Sequence, residues 1–311
     1  MQLAAFERGR HRMFDIRNIV KSRRIRNFIQ NTASILPTKL YLRIYYLAMS
    51  GRVLHLKNPK GYNEKLQWIK IHDKDKAKEH NDLVDKLRVK DVIKEKLGDG
   101  YCFPLLGHWE KFDDIDFDAL PNEFVLKCNH DSGSYKIIRD KTSLTEKDFA
   151  EMRMFYKRRM SSDFYRIGRE YPYKGIKRYI IAEKLMSSGD EGGINDYKFF
   201  CFNGEPKVML YVTGRQVEKH EDYFDMDYQC LHLTNGWTES ETPPPKPACF
   251  EEMKELAAKL SEGLRQVRMD FYEIDGKVYF GEYTFFNGGG FELFKPEEWE
   301  QKMGDWIDLN N

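Results

Sequence analysis

The sequence predicts an α+β protein, and three observations carry that reading. Asp275-Gly276 stands between two runs of β-branched and aromatic residues, Arg268–Ile274 and Lys277–Thr284, which is a strong hairpin signal. A second hairpin is read at Asp196–Phe202 and Lys207–Val212, joined by Asn203-Gly204. Apolar residues recur at near-helical spacing in Asp82–Leu97, Thr145–Ser161 and Phe250–Leu264.

Composition bounds what such a chain can be. With 311 residues, 41% hydrophobic and 14% aromatic, it can bury a large core as one large or two small domains. A net charge of +1, from 51 basic and 50 acidic residues, does not indicate a nucleic-acid partner. Cys102, Cys128, Cys201, Cys230 and Cys249 show no C-x-x-C spacing. That fits a reducing cytoplasm better than a disulfide framework or a zinc site. No apolar run approaches the roughly 20 residues that span a bilayer, and the N-terminus lacks the apolar stretch of a secretory signal. The expectation is a soluble, cytoplasmic protein.

In chain order, residues 1–56 form a basic helical N-terminal extension. Within Arg8–Arg26, Met13, Phe14, Ile16, Ile19, Val20 and Ile25 interrupt the basic residues at near-helical spacing. Such a helix lies peripherally on an anionic membrane surface or docks on its own domain. Leu40–Met49 reads as a buried helix. Asn63 is placed as the N-cap of the helix that follows it. Asp82–Leu97 reads as one helix with Leu83, Leu87, Ile93 and Leu97 on a stripe and Gly98 as its stop. Lys86 lies beside that stripe and on its own reads as a solvated lysine.

Strands begin at Tyr101, and Asp113–Leu120 is a loop or short helix. Phe124–Lys127 is a strand, followed by Cys128-Asn129-His130-Asp131-Ser132-Gly133-Ser134 and a short strand, Tyr135–Arg139. A strand ending in Lys127 ahead of a small polar loop suits a phosphate, held by backbone N–H groups and an ammonium. The P-loop pattern is absent, and an ordinary hairpin turn competes with this reading. Arg178–Met186 is a strand that breaks into a loop at Ser187–Gly193, with Glu183 where it leaves the core. Asp196 and Lys198, two apart on a strand, share a face. His220-Glu221-Asp222 leads into Asp225-Met226-Asp227 in a polar, loop-like segment, and Thr234–Pro247 is an excursion without periodicity. Pro296–Leu309 forms a closing helix.

Each arm of the Asp-Gly hairpin carries one carboxylate, Asp270 and Glu282. A two-residue loop puts them on opposite faces, because side chains alternate along a strand. Their even separation, 282 − 270 = 12, makes them opposite neighbours on one face if the loop is odd or one bulge intervenes. Two carboxylates between apolar strands repel each other and are costly to desolvate. Mg²⁺ together with substrate phosphates removes both problems. A solvated face of a surface hairpin is the competing reading.

Taken in order, D-K-L-R-V-K (85–90), L-P-N-E-F-V-L-K-C-N-H-D-S-G-S (120–134), A-E-K-L-M (182–186), N-D-Y-K-F-F-C-F-N-G-E-P-K (195–207) and R-M-D-F-Y with F-G-E-Y-T resemble the ATP-grasp superfamily. The nearest likeness is its TupA-like branch. The resemblance runs from about Asn58 to the C-terminus. It implies ATP clamped between two α+β subdomains, behind the N-terminal extension. It divides the remaining chain into a helical region 57–120, a small subdomain 121–186 with a phosphate flap, and a C-terminal subdomain 187–311 with the metal site. Lys86 and Lys127 then look like the two phosphate-binding lysines, and Asn129, Ser132, Gly133 and Ser134 belong to the flap. Glu183, Lys184, Leu185 and Met186 resemble the segment that meets adenine. Asp196 resembles the ribose-side acid and Lys198 a phosphate contact. Arg268 resembles the arginine that stabilises the transferred phosphoryl group or the tetrahedral intermediate, and Asp270 and Glu282 match the Mg²⁺ ligands. The superfamily ends this motif in Glu-x-Asn where this chain has Glu282-Tyr283-Thr284. Thr284 and Asn287 are therefore both candidates for the third ligand. Phe285-Phe286-Asn287-Gly288-Gly289-Gly290 is read either as a close backbone approach to substrate or as a chain reversal.

The resemblance implies an ATP-dependent carboxylate–amine ligase that works through an acylphosphate. The TupA-like branch points to an amino acid or similar amine joined to a uronic acid or glycan in cell-surface polysaccharide or capsule biosynthesis. A polysaccharide glycosyltransferase, with Asp225-Met226-Asp227 as its metal motif, and an ATP-grasp kinase with a hydroxyl acceptor are the alternatives.

Overall fold

The computed structural model describes residues 36–187, 193–215 and 217–310. The basic stretch Arg8–Arg26 and most of the loop expected at Ser187–Gly193 lie outside the described residues. No helix among the described residues is long and apolar enough to cross a membrane.

The chain opens with helix α1, Thr38–Ser50. It is not buried all round, as the sequence suggested: Tyr41, Leu42, Tyr45, Tyr46 and Ala48 are covered while Leu40, Ile44 and Leu47 stand exposed. Helix α2, Tyr62–His72, starts at Gly61 rather than at Asn63. The Glu64 carboxylate, at the third helical position, reaches back to accept the backbone N–H groups of Lys60 (3.0 Å) and of the N-cap Gly61 (3.4 Å). Asn63 is buried inside the helix, where its amide donates to the Glu292 carbonyl (2.8 Å) and to both Glu300 oxygens (3.0 and 2.9 Å).

The stripe expected over Asp82–Leu97 is two pieces, a single helical turn at Asn81–Val84 and helix α3 at Val89–Leu97. Asp85 interrupts them with extended backbone, and its Oδ1 accepts from the N–H of Leu87 (2.9 Å) and Arg88 (3.4 Å). The break frees the Lys86 N–H to donate to the Asn129 carbonyl at 3.0 Å, which ties this corner to the flap.

Two antiparallel sheets follow. The smaller contains β1 (Leu105–Trp109), β2 (Phe124–Cys128), β3 (Lys136–Ile138) and β4 (Ile180–Lys184), in the order β1-β4-β2-β3. It therefore begins well ahead of residue 121. Helix α4, Glu146–Ser161, is capped by Thr145 and packs Met152 and Tyr156 against Phe124, Leu126, Ile180 and Ala182.

The larger sheet contains β5 (Asp196–Phe202), β6 (Glu205–Thr213), β7 (His220–Phe224), β8 (Gln266–Ile274) and β9 (Lys277–Thr284), in the order β7-β6-β5-β8-β9. Both hairpin turns carry two residues with positive φ, Asn203 (51°) with Gly204 (81°) and Asp275 (53°) with Gly276 (69°). That geometry matches the natural twist of a hairpin. The segment read as loop-like at His220–Asp222 is edge strand β7. Its acids are buried because Asp222 accepts from the N–H (3.0 Å) and hydroxyl (2.7 Å) of Ser240, and Lys219 pairs with Glu221 at 2.5 Å. Helix α5, Phe250–Ser261, covers β5, β6 and β8, and helix α6, Glu298–Asp305, packs on α2. The main core lies between this sheet and those helices.

Candidate functional site

The two sheets enclose a cleft of about 660 Å³. That is within the range of small-molecule pockets. The large sheet contributes the carboxylates. Ile274 pairs with Lys277 across a two-residue loop, and a bulge falls between Asp270 and Phe271. Phe271 faces Phe280, while Asp270 faces Glu282, so Gly281 is the extra residue. The bulge thus brings both acids to the cleft, resolving the face problem posed by the even spacing. Gly281 has no room for a side chain, since a Cβ there would stand 2.9 Å from the Asp270 carbonyl and 3.0 Å from the Tyr272 ring.

Asp270 is 1% exposed, and both of its oxygens accept hydrogen bonds. Arg268 donates through Nε to Oδ1 and through Nη2 to Oδ2, both at 2.7 Å. Lys198, opposite Asp270 in the β5–β8 register, donates to Oδ2 at 2.5 Å and reaches Asp196 at 3.2 Å. Arg215 pairs with the other oxygen of Asp196 at 2.9 Å. Two acids thus meet three bases. Burial works to raise the Asp270 carboxyl, but Arg268 and Lys198 outweigh it and hold it below the ordinary carboxylate range. For Arg268, burial works the other way, yet Asp270 and Glu282 keep the guanidinium charged and raise it.

Arg268 lies behind the carboxylates rather than on the cleft wall. Its remaining donors go to Thr284 Oγ1 (3.1 Å) and Asn287 Oδ1 (2.5 Å). Thr284 and Asn287 do not line the cleft; both accept from Arg268, and the Thr284 hydroxyl donates to Glu282 Oε1 at 3.3 Å.

The small sheet supplies the opposing wall. Glu183 is 3% exposed and takes Lys127 at 2.5 Å and Lys90 at 2.6 Å. Burial raises its carboxyl, but the two ammonium groups more than compensate and hold it low. Lys90 was missed in the sequence. The available signal was its place one helical turn after Lys86, inside the same D-K-L-R-V-K run. Lys86 donates to the Asp131 carbonyl at 2.5 Å. It lines the cleft together with Lys127, Ser132, Gly133, Lys184, Leu185 and Met186. Phe103 and Tyr272, stacked with ring centres 5.3 Å apart, also line it, and neither was expected. The same is true of Arg215.

Two expected flap contacts do not reach the cleft. The Asn129 amide donates to Asp85 Oδ1 and the Lys177 carbonyl, both at 2.9 Å, and its oxygen accepts the Tyr179 N–H at 2.7 Å. Ser134 accepts the Cys128 N–H at 3.0 Å and donates to Asp131. Both residues anchor the ends of the loop, and Arg159 steadies Asp131 at 2.7 Å. The Asp225-Met226-Asp227 motif is a turn: Asp225 Oδ1 accepts the N–H groups of Asp227 (3.0 Å) and Gln229 (2.8 Å), away from the cleft.

The donor set suits Mg²⁺. Glu282 opens onto the cleft beside Asp270, and the Lys198 ammonium already holds a positive charge between Asp270 and Asp196. No group of three or more His, Cys, Asp or Glu among the described residues could hold a metal ion. The two carboxylates would thus complete a shell only with phosphate oxygens and water, the usual arrangement for this cation. A second hollow of about 400 Å³, walled by Ile69, Tyr171, Pro172, Leu264, Phe285 and Phe286, shares no lining residue with the cleft.

A family model described as TupA-like ATP-grasp matches residues 64–308. No curated protein matches the chain. Among solved structures, a D-alanine–D-alanine ligase from Bacillus anthracis complexed with ATP is 15% identical, with a TM-score of 0.37 over 65% of this chain and 53% of that one. The ATP-grasp ligase PsnB, complexed with a phosphomimetic variant of its minimal precursor, Mg and ADP, is 12% identical, with a TM-score of 0.39 over 95% and 70% of the two chains. N5-carboxyaminoimidazole ribonucleotide synthetase from Thermus thermophilus is 12% identical, with a TM-score of 0.38 over 65% and 45%. The chain spans about half the length of the first and last of these, 53% and 45%.

Proposed function

Because this chain belongs to the TupA-like ATP-grasp family, we propose that it is an ATP-dependent carboxylate–amine ligase acting through an acylphosphate. The observation that carries the reading is the opposition of two charge sets across one cleft. Asp270 and Glu282 face it from the large sheet, and Lys86 and Lys127 line it with the small sheet. A triphosphate needs both, a divalent cation on one side and ammonium groups on the other.

Leu185 and Met186 offer an apolar seat for a purine beside Phe103 and Tyr272, and Asp196, held by Lys198 and Arg215, would accept a ribose hydroxyl. Asp270 and Glu282 would hold Mg²⁺, which neutralises the transferred phosphate. Lys198 and Lys127 supply the remaining positive charge, and Arg268 fixes the Asp270 carboxylate as a positioning residue. A substrate carboxylate oxygen forms a bond to the γ-phosphorus as the bridging oxygen leaves with ADP. The amine nitrogen then attacks the acyl carbon, phosphate departs with the electron pair of the broken C–O bond, and the amine loses a proton. The flap at Ser132–Gly133 excludes water from the acylphosphate between the two steps.

The family association supports, as the product, an amide between an amino acid or similar amine and a uronic acid or glycan destined for a cell-surface polysaccharide. The test is a coupled assay of ADP and free phosphate over a panel of amino acids with uronic acids. A ligase releases both in equal amounts when carboxylate and amine are present. Release of ADP alone identifies a hydroxyl acceptor, and a chain that consumes no ATP under any pairing ends the proposal.

A further inference from the structure

Helix α1 has two apolar faces, and only one is used inside the molecule. Tyr41, Leu42, Tyr45 and Tyr46 pack inward, with Phe291 against Tyr45 at 4.7 Å between ring centres. Outward, Leu40 (47% exposed), Ile44 (42%) and Leu47 (45%) recur one helical turn apart, and Val53 (64%) is also exposed just beyond the helix. Exposed apolar side chains in single places need no explanation, but a contiguous stripe marks a contact surface.

Charge identifies the partner. Lys39 and Arg43 share the exposed stripe, and Arg43 also borders a groove of about 500 Å³ lined by His55, Lys57, Asn58 and Lys60. The acids nearby are already committed. Glu64 accepts four contacts, from His55 (its N–H at 3.1 Å and Nδ1 at 2.8 Å), Lys60 (3.0 Å) and Gly61 (3.4 Å), and Glu297 pairs with Arg52 at 2.9 Å. Residues 1–35, which run up to this helix, carry eight Arg and Lys against Glu7 and Asp15. An apolar stripe rimmed by cations, continuous with a strongly basic segment, matches the layered chemistry of a lipid surface.

We propose that the outer face of α1 docks on an anionic membrane surface, with Leu40, Ile44, Leu47 and Val53 at the acyl boundary and Arg43, Lys57 and Lys60 at the headgroup phosphates. The inference stands apart from the ligase reading, since it uses no residue of the cleft.

The full chain is sedimented with vesicles of phosphatidylcholine, with and without phosphatidylglycerol. Binding is expected only to the anionic vesicles, and it should weaken with salt. Leu40→Gln/Ile44→Gln/Leu47→Gln should lower the partition coefficient by about tenfold or more while leaving the thermal melt in place, because these side chains are exposed. Arg43→Gln/Lys57→Gln should lower it by about tenfold. An Ile44→Trp variant should be quenched by brominated acyl chains. Absent binding, a triple variant that binds as well as the parent, or an unquenched Trp overturns the proposal. So does a parent that is dimeric by light scattering and becomes monomeric in the triple variant, which would assign the face to a second copy of the chain.

Discussion

Lys70 is the clearest single-residue experiment. It is 1% exposed, donates to the Gly289 carbonyl at 2.6 Å, and lies 5.0 and 4.7 Å from the Phe286 and Phe291 rings. Burial pulls its pKa from 10.5 down to about 8, with Glu170 opposing. Between those values the unfolded chain holds a proton that the folded chain has released, so stability rises with pH across that window. Below pH 8 the proton burdens the folded state by roughly 3–4 kcal/mol at most, from roughly 1.4 kcal/mol per pKa unit. Urea unfolding of the parent and Lys70→Met from pH 7 to 10.5 should show the upward trend only in the parent, and parallel curves would mean an ordinary lysine. Individual residues were legible in the sequence when a local rule placed them. The cleft positions of Asp270 and Glu282 follow from strand alternation and spacing, and that of Lys127 from its place at a strand end ahead of a small polar loop. Lys90 and Arg215 did not, because their meaning depends on Glu183 and Asp196, partners from other elements. Sequence alone leaves Thr284 and Asn287 as alternatives for a third ligand, since it does not reveal that Arg268 donates to both.

At the scale of elements, the β8–β9 bulge decides whether the carboxylates meet. Gly281→Ala puts a methyl group 2.9 Å from the Asp270 carbonyl, so the strand must shift at the point that sets the Asp270–Glu282 pairing. A loss of about 1–3 kcal/mol in chemical denaturation is expected from the crowding. Turnover should fall further than that loss of folded protein accounts for, and saturating Mg²⁺ should rescue part of it. Turnover that merely tracks the folded fraction would show that the bulge tolerates the shift. The hairpin itself was readable from Asp275-Gly276, and the need for a bulge followed from the parity of the spacing. The break at Asp85 was hidden because Leu83, Leu87, Ile93 and Leu97 keep a helical period across it. The break is held by a tertiary bond, Lys86 N–H to the Asn129 carbonyl. Strand β7 was obscured because its acids look solvated until Ser240 and Lys219 are brought beside them.

For the whole molecule, a ligand that binds only the folded state raises its melting temperature. Mg-ATP at a hundred times its Kd should add about 2.7 kcal/mol, a shift of several degrees, whereas UDP-sugars should add none. Stabilisation by a UDP-sugar but not by Mg-ATP would remove the nucleotide assignment. The two-lobed architecture was legible from the order of its motifs. The start of the small sheet was not, because β1 finds its partner β4 only after the long excursion through α4. That pairing makes the four-stranded lobe an interchangeable part. The chain comes into the lobe at Leu105 and departs at Lys184, and these ends are bonded neighbours. Leu105 pairs with Glu183, and the Lys184 N–H donates to the Pro104 carbonyl at 3.0 Å. A lobe cut at those two points can be exchanged for that of a relative without rethreading the large sheet, whose ladders it never joins. Chimaeras spliced there would carry Lys127 and Glu183 from one parent, and Lys86, Lys90 and the carboxylates from the other.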